Sequence, residues 1–244
     1  MSLILRAVAV TDPGLVRPEN EDAAHAGSRL IAVADGMGGL PAGEVASEIA
    51  IRALAALEWA PADDPVAALN GAVETANLQI RAAVEADPAR DGMGTTITAV
   101  LLADTLLTVA HVGDSRGYLL RGATLRRLTR DDTLVQALVD QGVLTSAEAR
   151  RHPQRSLVTR AVQGAGLAPS IDTVPAAAGD RLLLCSDGLS DVVDDQAIGQ
   201  TLAHWADRHQ CGEQLVKLAH QAGAPDNVTV VVADVETEPA PPAG

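Results

Sequence analysis

Short apolar runs alternate along the chain with longer stretches of helical period. Residues 5–10 and 30–34 carry the aliphatic character of strands, the first interrupted only by Arg6. Over residues 41–57 the period changes: Val45, Ala46, Ile49, Ala50, Ala53, Leu54 and Leu57 share one helical face, with Glu44, Glu48 and Arg52 opposite. Glu48 and Arg52 are spaced for a favourable i,i+4 ion pair. A second amphipathic helix is predicted over 66–84, ended by Asp87-Pro88. Residues 95–102, 106–112, 117–121 and 125–128 read as consecutive strands joined by short turns, a pattern of antiparallel pairing. Residues 133–151 read as helical and 152–170 have no period. Strands return at 171–174, 181–185 and 227–235, with helices over about 195–203 and 211–222. Helices that bracket a long antiparallel block predict a layered α+β fold, two sheets packed between helices. Residues 236–244, rich in Pro, Ala and Glu, read as an extended linker, and no internal repeat or domain boundary is visible.

Composition narrows the chemistry. The chain has 244 residues, enough for one large domain, and a formal charge of -14. That balance argues against general binding of nucleic acid or anionic lipid, both of which repel it. Phe is absent, Tyr occurs once and Trp twice, so the core is built of Ala, Val, Leu and Ile and offers no aromatic platform for bases. The apolar stretches are too short for a membrane span, and the first residues lack a secretory leader. Cys185 and Cys211 make neither a disulfide framework nor a four-ligand zinc site, and the chain reads as cytoplasmic. Lys217, the single lysine, has no glycine loop before it, which argues against ATP-driven phosphoryl transfer.

Four times an apolar strand abuts an aspartate beside a small or turn-forming residue: Asp35-Gly36, Gly113-Asp114, Asp187-Gly188 and Asp226-Asn227. Asp-Gly alone is a turn signal. If the strand ends share one rim, however, these carboxylates repel one another or gather cations. An oxygen-only donor set without a His/Cys cluster points to Mg²⁺ or Mn²⁺ rather than zinc.

The motifs Arg17-Pro18-Glu19-Asn20-Glu21-Asp22, Val33-Ala34-Asp35-Gly36-Met37-Gly38-Gly39, Gly92-Met93-Gly94-Thr95-Thr96, Val112-Gly113-Asp114-Ser115-Arg116, Cys185-Ser186-Asp187-Gly188-Leu189 and Pro225-Asp226-Asn227-Val228-Thr229 follow in that order. Together they resemble the metal-dependent Ser/Thr protein phosphatases of type 2C, in the bacterial branch that opposes Ser/Thr kinases, over about residues 5–235. The resemblance implies a four-layer α/β/β/α sandwich, a single catalytic domain over 1–235 with a flap at about 131–163, and a tail at 236–244. It implies two core Mn²⁺ or Mg²⁺ ions and a weaker third. Asp35 is expected to bridge the core pair, with Gly36 holding the second ion through its carbonyl, while Asp187 and Asp226 complete the first. Asp114, Asp187 and the Ser156 backbone are the expected ligands of the third. Arg17 is expected to grip the substrate phosphate, and Glu21 and Asp22 to orient water. Met37 replaces the histidine that animal relatives offer as general acid, which leaves water near Asp114 as the first candidate acid and His152 as the second. The implied partners are phosphorylated proteins, Ser/Thr kinases and their substrates, met by a monomer. A catalytically weak phosphoprotein-binding module and a non-catalytic ion-binding domain are the alternatives. Arg150, Arg151, Arg155 and Arg160 make the flap locally basic, either as solvated surface or for phosphoprotein docking.

Overall fold

The computed structural model describes residues 2–38, 42–60 and 63–238. Eleven strands among these fall into two antiparallel sheets. One has the order β1 (Leu3–Asp12), β11 (Val228–Thr237), β10 (Arg181–Cys185), β7 (Arg116–Arg121), β8 (Thr124–Arg127). The other runs β2 (Asp22–Ala26), β3 (Leu30–Met37), β5 (Ile97–Ala103), β6 (Leu106–Val112), β9 (Ser170–Pro175), and the two-residue β4 (Gly94–Thr95) pairs with the end of β3. Helices α1 (Ala42–Ala55) and α2 (Pro65–Ala86) cover the second sheet, and α6 (Asp195–His204) and α7 (Arg208–Gln221) cover the first.

Strand alternation sorts the side chains into these layers. Leu30, Ala32 and Ala34 of β3 face α1 and α2, whereas Ile31 and Val33 face the other sheet. Likewise Val230 and Val232 of β11 face α6 and α7, and Val231, Ala233 and Val235 point inward. β3 and β11 are thus buried on both faces over most of their length, which explains their continuous aliphatic runs. The four-layer sandwich is therefore as expected. The predicted face of α1 is buried at Ala46, Ala50 and Leu54, and the Glu48–Arg52 pair forms at 3.5 Å.

Several local expectations are corrected. Strands β6 and β7 are consecutive but do not pair: residues 113–115 carry the chain from one sheet to the other. β2 went unpredicted, because Asp22-Ala23-Ala24-His25-Ala26 has no β-branched or large apolar residue. The helical stretch at 133–151 is two short helices, α3 (Leu134–Asp140) and α4 (Ser146–Ala149), separated at Gly142 by a positive φ of 71°. The tail does not begin at 236, since β11 runs to Thr237 and the Glu238 amide donates to the Ser2 carbonyl. Its remainder, 239–244, lies outside the described residues, as do Gly39 of the glycine motif and Pro41 of the predicted helix.

Candidate metal centre

The ends of β3, β6 and β10 and the start of β11 lie at the same edge of the sandwich, because antiparallel registry pairs Cys185 with Val230 and Ile97 with Val112 there. Arg17, Glu21, Asp35, Gly36, Asp114, Ser156, Asp187 and Asp226 consequently line one cleft of ≈ 390 Å³. Thus the four strand-end aspartates, far apart in sequence, line a common cleft.

Each is held by its backbone. Asp35 donates its amide to Thr96 Oγ1 at 3.0 Å and accepts from the Thr96 amide at 2.9 Å and the Thr95 hydroxyl at 2.9 Å. Thr96 Oγ1 in turn shares a hydrogen bond with Ser115 Oγ at 2.7 Å, tying the Asp35 strand to the Asp114 turn. Gly113 supplies the turn's positive φ of 103°, and a Cβ there would meet Thr96 Cγ2 at 2.6 Å. Gly36 must also be glycine, since a Cβ would lie 2.2 Å from the Gly43 carbonyl oxygen. Asp187 opens the short helix α5 (Asp187–Ser190), set by the Ser186 amide on the Thr229 carbonyl at 3.0 Å. Asn227, whose part was not legible in the sequence, accepts the Glu21 amide at 2.9 Å through Oδ1. Its Nδ2 donates to the Pro13 and Glu19 carbonyls at 3.0 and 2.8 Å, so one side chain fixes the Arg17 loop against Asp226.

The electrostatics are those of uncompensated negative charge. Desolvation, then repulsion from Asp22, Asp187, Asp114 and Asp226, pushes the Asp35 carboxyl well above its ordinary value. Desolvation and then Asp114, Asp191 and Asp226 do the same for Asp187. Burial, followed by Asp131 and Asp191, pushes Asp114 up to about 7. Asp22, opposite Asp35 in the β2–β3 register, is pushed up to about 6, chiefly by burial, even though Ser186 Oγ donates to it at 2.8 Å. Asp22 Oδ1 and Glu21 Oε1 are buried without a hydrogen-bond partner.

Only Arg17 answers this charge from within the cleft, donating from Nη2 to Asp226 Oδ2 at 2.8 Å. Among the described residues, no three acidic, histidine or cysteine side chains close a cage around one point by themselves. The carboxylates share the cleft in smaller groups, with Asp226 engaged by Arg17. The donor set still fits hard divalent cations: all oxygen, mutually repelling, with the buried Asp22 Oδ1 and Glu21 Oε1 unpaired.

Other expectations resolve individually. Ser156 lines the cleft, and its hydroxyl donates to Asp191 at 3.0 Å. His152 is not among the cleft-lining residues; its Nδ1 accepts the Gln154 amide, and nothing places it to protonate a leaving group. Arg150, Arg155 and Arg160 are paired with Asp195, Asp191 and Asp132 at 3.5, 3.4 and 3.1 Å, so the segment is less cationic than its sequence suggests. His111 is buried on Thr98, as expected of a packed histidine, and Asp194 caps α6. His220 bonds Asp12 at 2.8 Å, and His25 is half-buried beside Glu58.

The profile of the family described as "Protein phosphatase 2C" matches residues 19–225. The Ser/Thr protein phosphatase PstP of Mycobacterium tuberculosis is 52% identical over 236 residues, 96% of this chain and 46% of that protein, so the chain spans about half of this relative's length. The Ser/Thr phosphatase stp of Listeria welshimeri is 35% identical, with 92% of this chain and 93% of that protein covered. A crystal structure of the PstP catalytic domain in complex with 2 manganese ions superposes with a TM-score of 0.92 at 50% identity, covering 97% of this chain and 100% of that one. By profile, sequence and architecture, the chain belongs to the protein phosphatase 2C family.

Proposed function

We propose that the chain is a metal-dependent protein phosphatase that hydrolyses phosphoserine and phosphothreonine and reverses the work of bacterial Ser/Thr kinases. The carrying observation is that Asp35, Asp114, Asp187 and Asp226 line one cleft with Arg17. The reading is supported by relatives named Ser/Thr phosphatases and by the two manganese ions of the PstP structure. When bound, such ions supply Lewis acidity to water and to the phosphoryl oxygens. Asp35, the Gly36 carbonyl, Asp187 and Asp226 would hold the core pair; Asp114, Asp187 and the Ser156 backbone would hold a third.

The chain's own residues do the rest. Arg17 presents a guanidinium, half exposed at the mouth and reachable by a phosphate, whose planar fork matches two phosphate oxygens. Charge growing on those oxygens as the ester bond breaks strengthens that contact. Glu21 Oε1, unpaired in the cleft lining, is an acceptor that can orient water, and Asp22 Oδ1, also unpaired, stands opposite Asp35 in the β2–β3 register without lining the cleft. No side chain here serves as the attacking nucleophile: Cys185 is buried in β10 with its thiol pushed up to about 12 by burial. The reading includes a cytoplasmic monomer, with kinases and their substrates as partners; among the described residues no helix is long and apolar enough to cross a membrane.

Hydrolysis of a phosphoserine peptide should require added Mn²⁺ or Mg²⁺, stop with EDTA, and fall at least a thousandfold in Asp35→Asn and Asp187→Asn. Turnover indifferent to EDTA would overturn the assignment.

A further inference from the structure

Behind Asp114 lies a second, more enclosed chamber of ≈ 200 Å³, roofed by α3 and α4 and floored by Arg116, Arg127 and Ser190. Asp114 is the wall it shares with the metal cleft. The chamber is lined by four arginines and four aspartates, and Arg116 and Arg127 are the cations at its floor. Arg116 grips Asp131 through Nε at 3.2 Å and Nη2 at 2.8 Å, and Arg127 Nη2 reaches the same carboxylate. Two largely buried guanidinium groups therefore share Asp131 as their hydrogen-bonded counterion, and Arg116 Nη1 also lies 3.9 Å from Asp195. Asp191 and Asp195 pair at the rim with Arg155 and Arg150, and Asp114 lines both the chamber and the metal cleft. Burial and then the Arg116 charge push Arg127 below the ordinary arginine value, while Arg116, despite its own burial, is held above it by Asp131.

Two donors are also left over. Arg127 Nε is buried without a hydrogen-bond partner, and so is the hydroxyl of Ser190, a residue only 2% exposed. A buried donor without an acceptor keeps its desolvation cost uncompensated, and native structures leave few without a reason. A tetrahedral oxyanion offers acceptors to both and charge to the arginine pair.

We propose that this chamber is a second oxyanion site, which takes a phosphoryl or sulfate-like group beside the reacting one. Its occupant is either a second phosphorylated side chain of the same substrate or free inorganic phosphate. The first source rests on the phosphatase reading; the site itself does not.

The test has two arms on the Mn²⁺-loaded full chain. Sodium sulfate is titrated calorimetrically into wild type, Arg127→Gln and Ser190→Ala; the first variant should lose about tenfold in affinity for one sulfate and the second about threefold. Sulfate at the Arg17 cleft is common to all three proteins and cancels in the comparison. Separately, kcat/KM is measured for a phosphothreonine peptide with a neighbouring phosphothreonine and for the same peptide with alanine there. A preference of about tenfold in KM, erased by Arg127→Gln with the alanine peptide unaffected, assigns the chamber to the substrate. Weakened sulfate binding without that preference assigns it to free oxyanion. Equal sulfate affinity in all three proteins overturns the proposal, and because that arm needs no turnover, it reads out even if no peptide is hydrolysed. Ser190→Ala, which deletes a single atom, decides the matter if Arg127→Gln does not fold.

Discussion

Replacing Arg17 separates what this side chain does for the fold from what it does for the reaction. Its ion pair with Asp226 is short, 2.8 Å, but the two side chains are 54% and 36% exposed. Such a pair contributes about 0–1 kcal/mol, so Arg17→Ala should lower the melting temperature by no more than about 4 °C in a chain of this size. The reaction should suffer far more. A charge-assisted donor aimed at developing oxyanion charge accounts for about 10²–10³ in turnover, or about 3–4 kcal/mol. Arg17→Lys keeps the charge but not the planar fork, and should recover only part of the loss. A second effect has the opposite sign. Arg17 competes for Asp226, so its removal frees that carboxylate and should lower the Mn²⁺ concentration for half-maximal activity even as kcat falls. Initial rates on a phosphoserine peptide across a Mn²⁺ series, with differential scanning fluorimetry on the same samples, measure all of this. A kcat/KM within threefold of wild type would refute the role of Arg17, and a melting temperature lowered by ten degrees or more would refute the reasoning about exposure.

Two further outcomes are expected. Mn²⁺ should raise the melting temperature of wild type above its value in EDTA, and Asp35→Asn should be more stable than wild type in EDTA while gaining less from Mn²⁺, because it removes one member of a self-repelling cluster; equal wild-type values with and without metal would count against that cluster. Glu58, 6% exposed, accepts the Ser28, Arg29 and Leu30 amides at 2.7, 3.2 and 3.0 Å; burial alone would raise its carboxyl, but these bonds and the Ser28 hydroxyl hold it below the ordinary value. A depressed acid stabilises the fold above its unfolded-state pKa and loses that contribution as pH falls through the folded value, so Glu58→Ala should cost about 2–4 kcal/mol in urea unfolding at pH 7 and less near pH 3, and a cost below 1 kcal/mol at pH 7 would sink the argument.

What the chain shows of itself follows the range of the interactions involved. Residues 106–112 were legible as a strand to the residue, because burial on both faces leaves a mostly aliphatic run interrupted only by Thr108 and His111. The strand-end aspartates were legible as positions but not as a cluster: Asp114 and Asp187 meet only because residues 113–115 change sheets, where spacing alone suggests a hairpin. Asn227 and Thr96 were hidden for the same reason, since their value lies in partners far along the chain, at Pro13, Glu19 and Glu21 and at Asp35 and Ser115. The partial neutralisation of the flap arginines was hidden because their partners Asp191 and Asp195 lie some 36–45 residues further along the chain.

The cleft draws its acids from both sheets, and this ties its geometry to the core. Asp35 stands on the sheet covered by α1 and α2, Asp187 and Asp226 flank strands of the other, and Asp114 sits on the crossing between them. The distance between those carboxylate groups is therefore the distance between the sheets, set by the inward layer of Ile31, Val33, Val100, Leu182, Leu184 and Val231. That layer holds aliphatic side chains and no aromatic ring, and close-packed interiors do not absorb an added ring volume without moving backbone. A wedge there would part the carboxylates of one sheet from those of the other while leaving every ligand in place. The lack of Phe, which at first only argued against stacking on bases, thus bears on how narrowly the two halves of the centre are held.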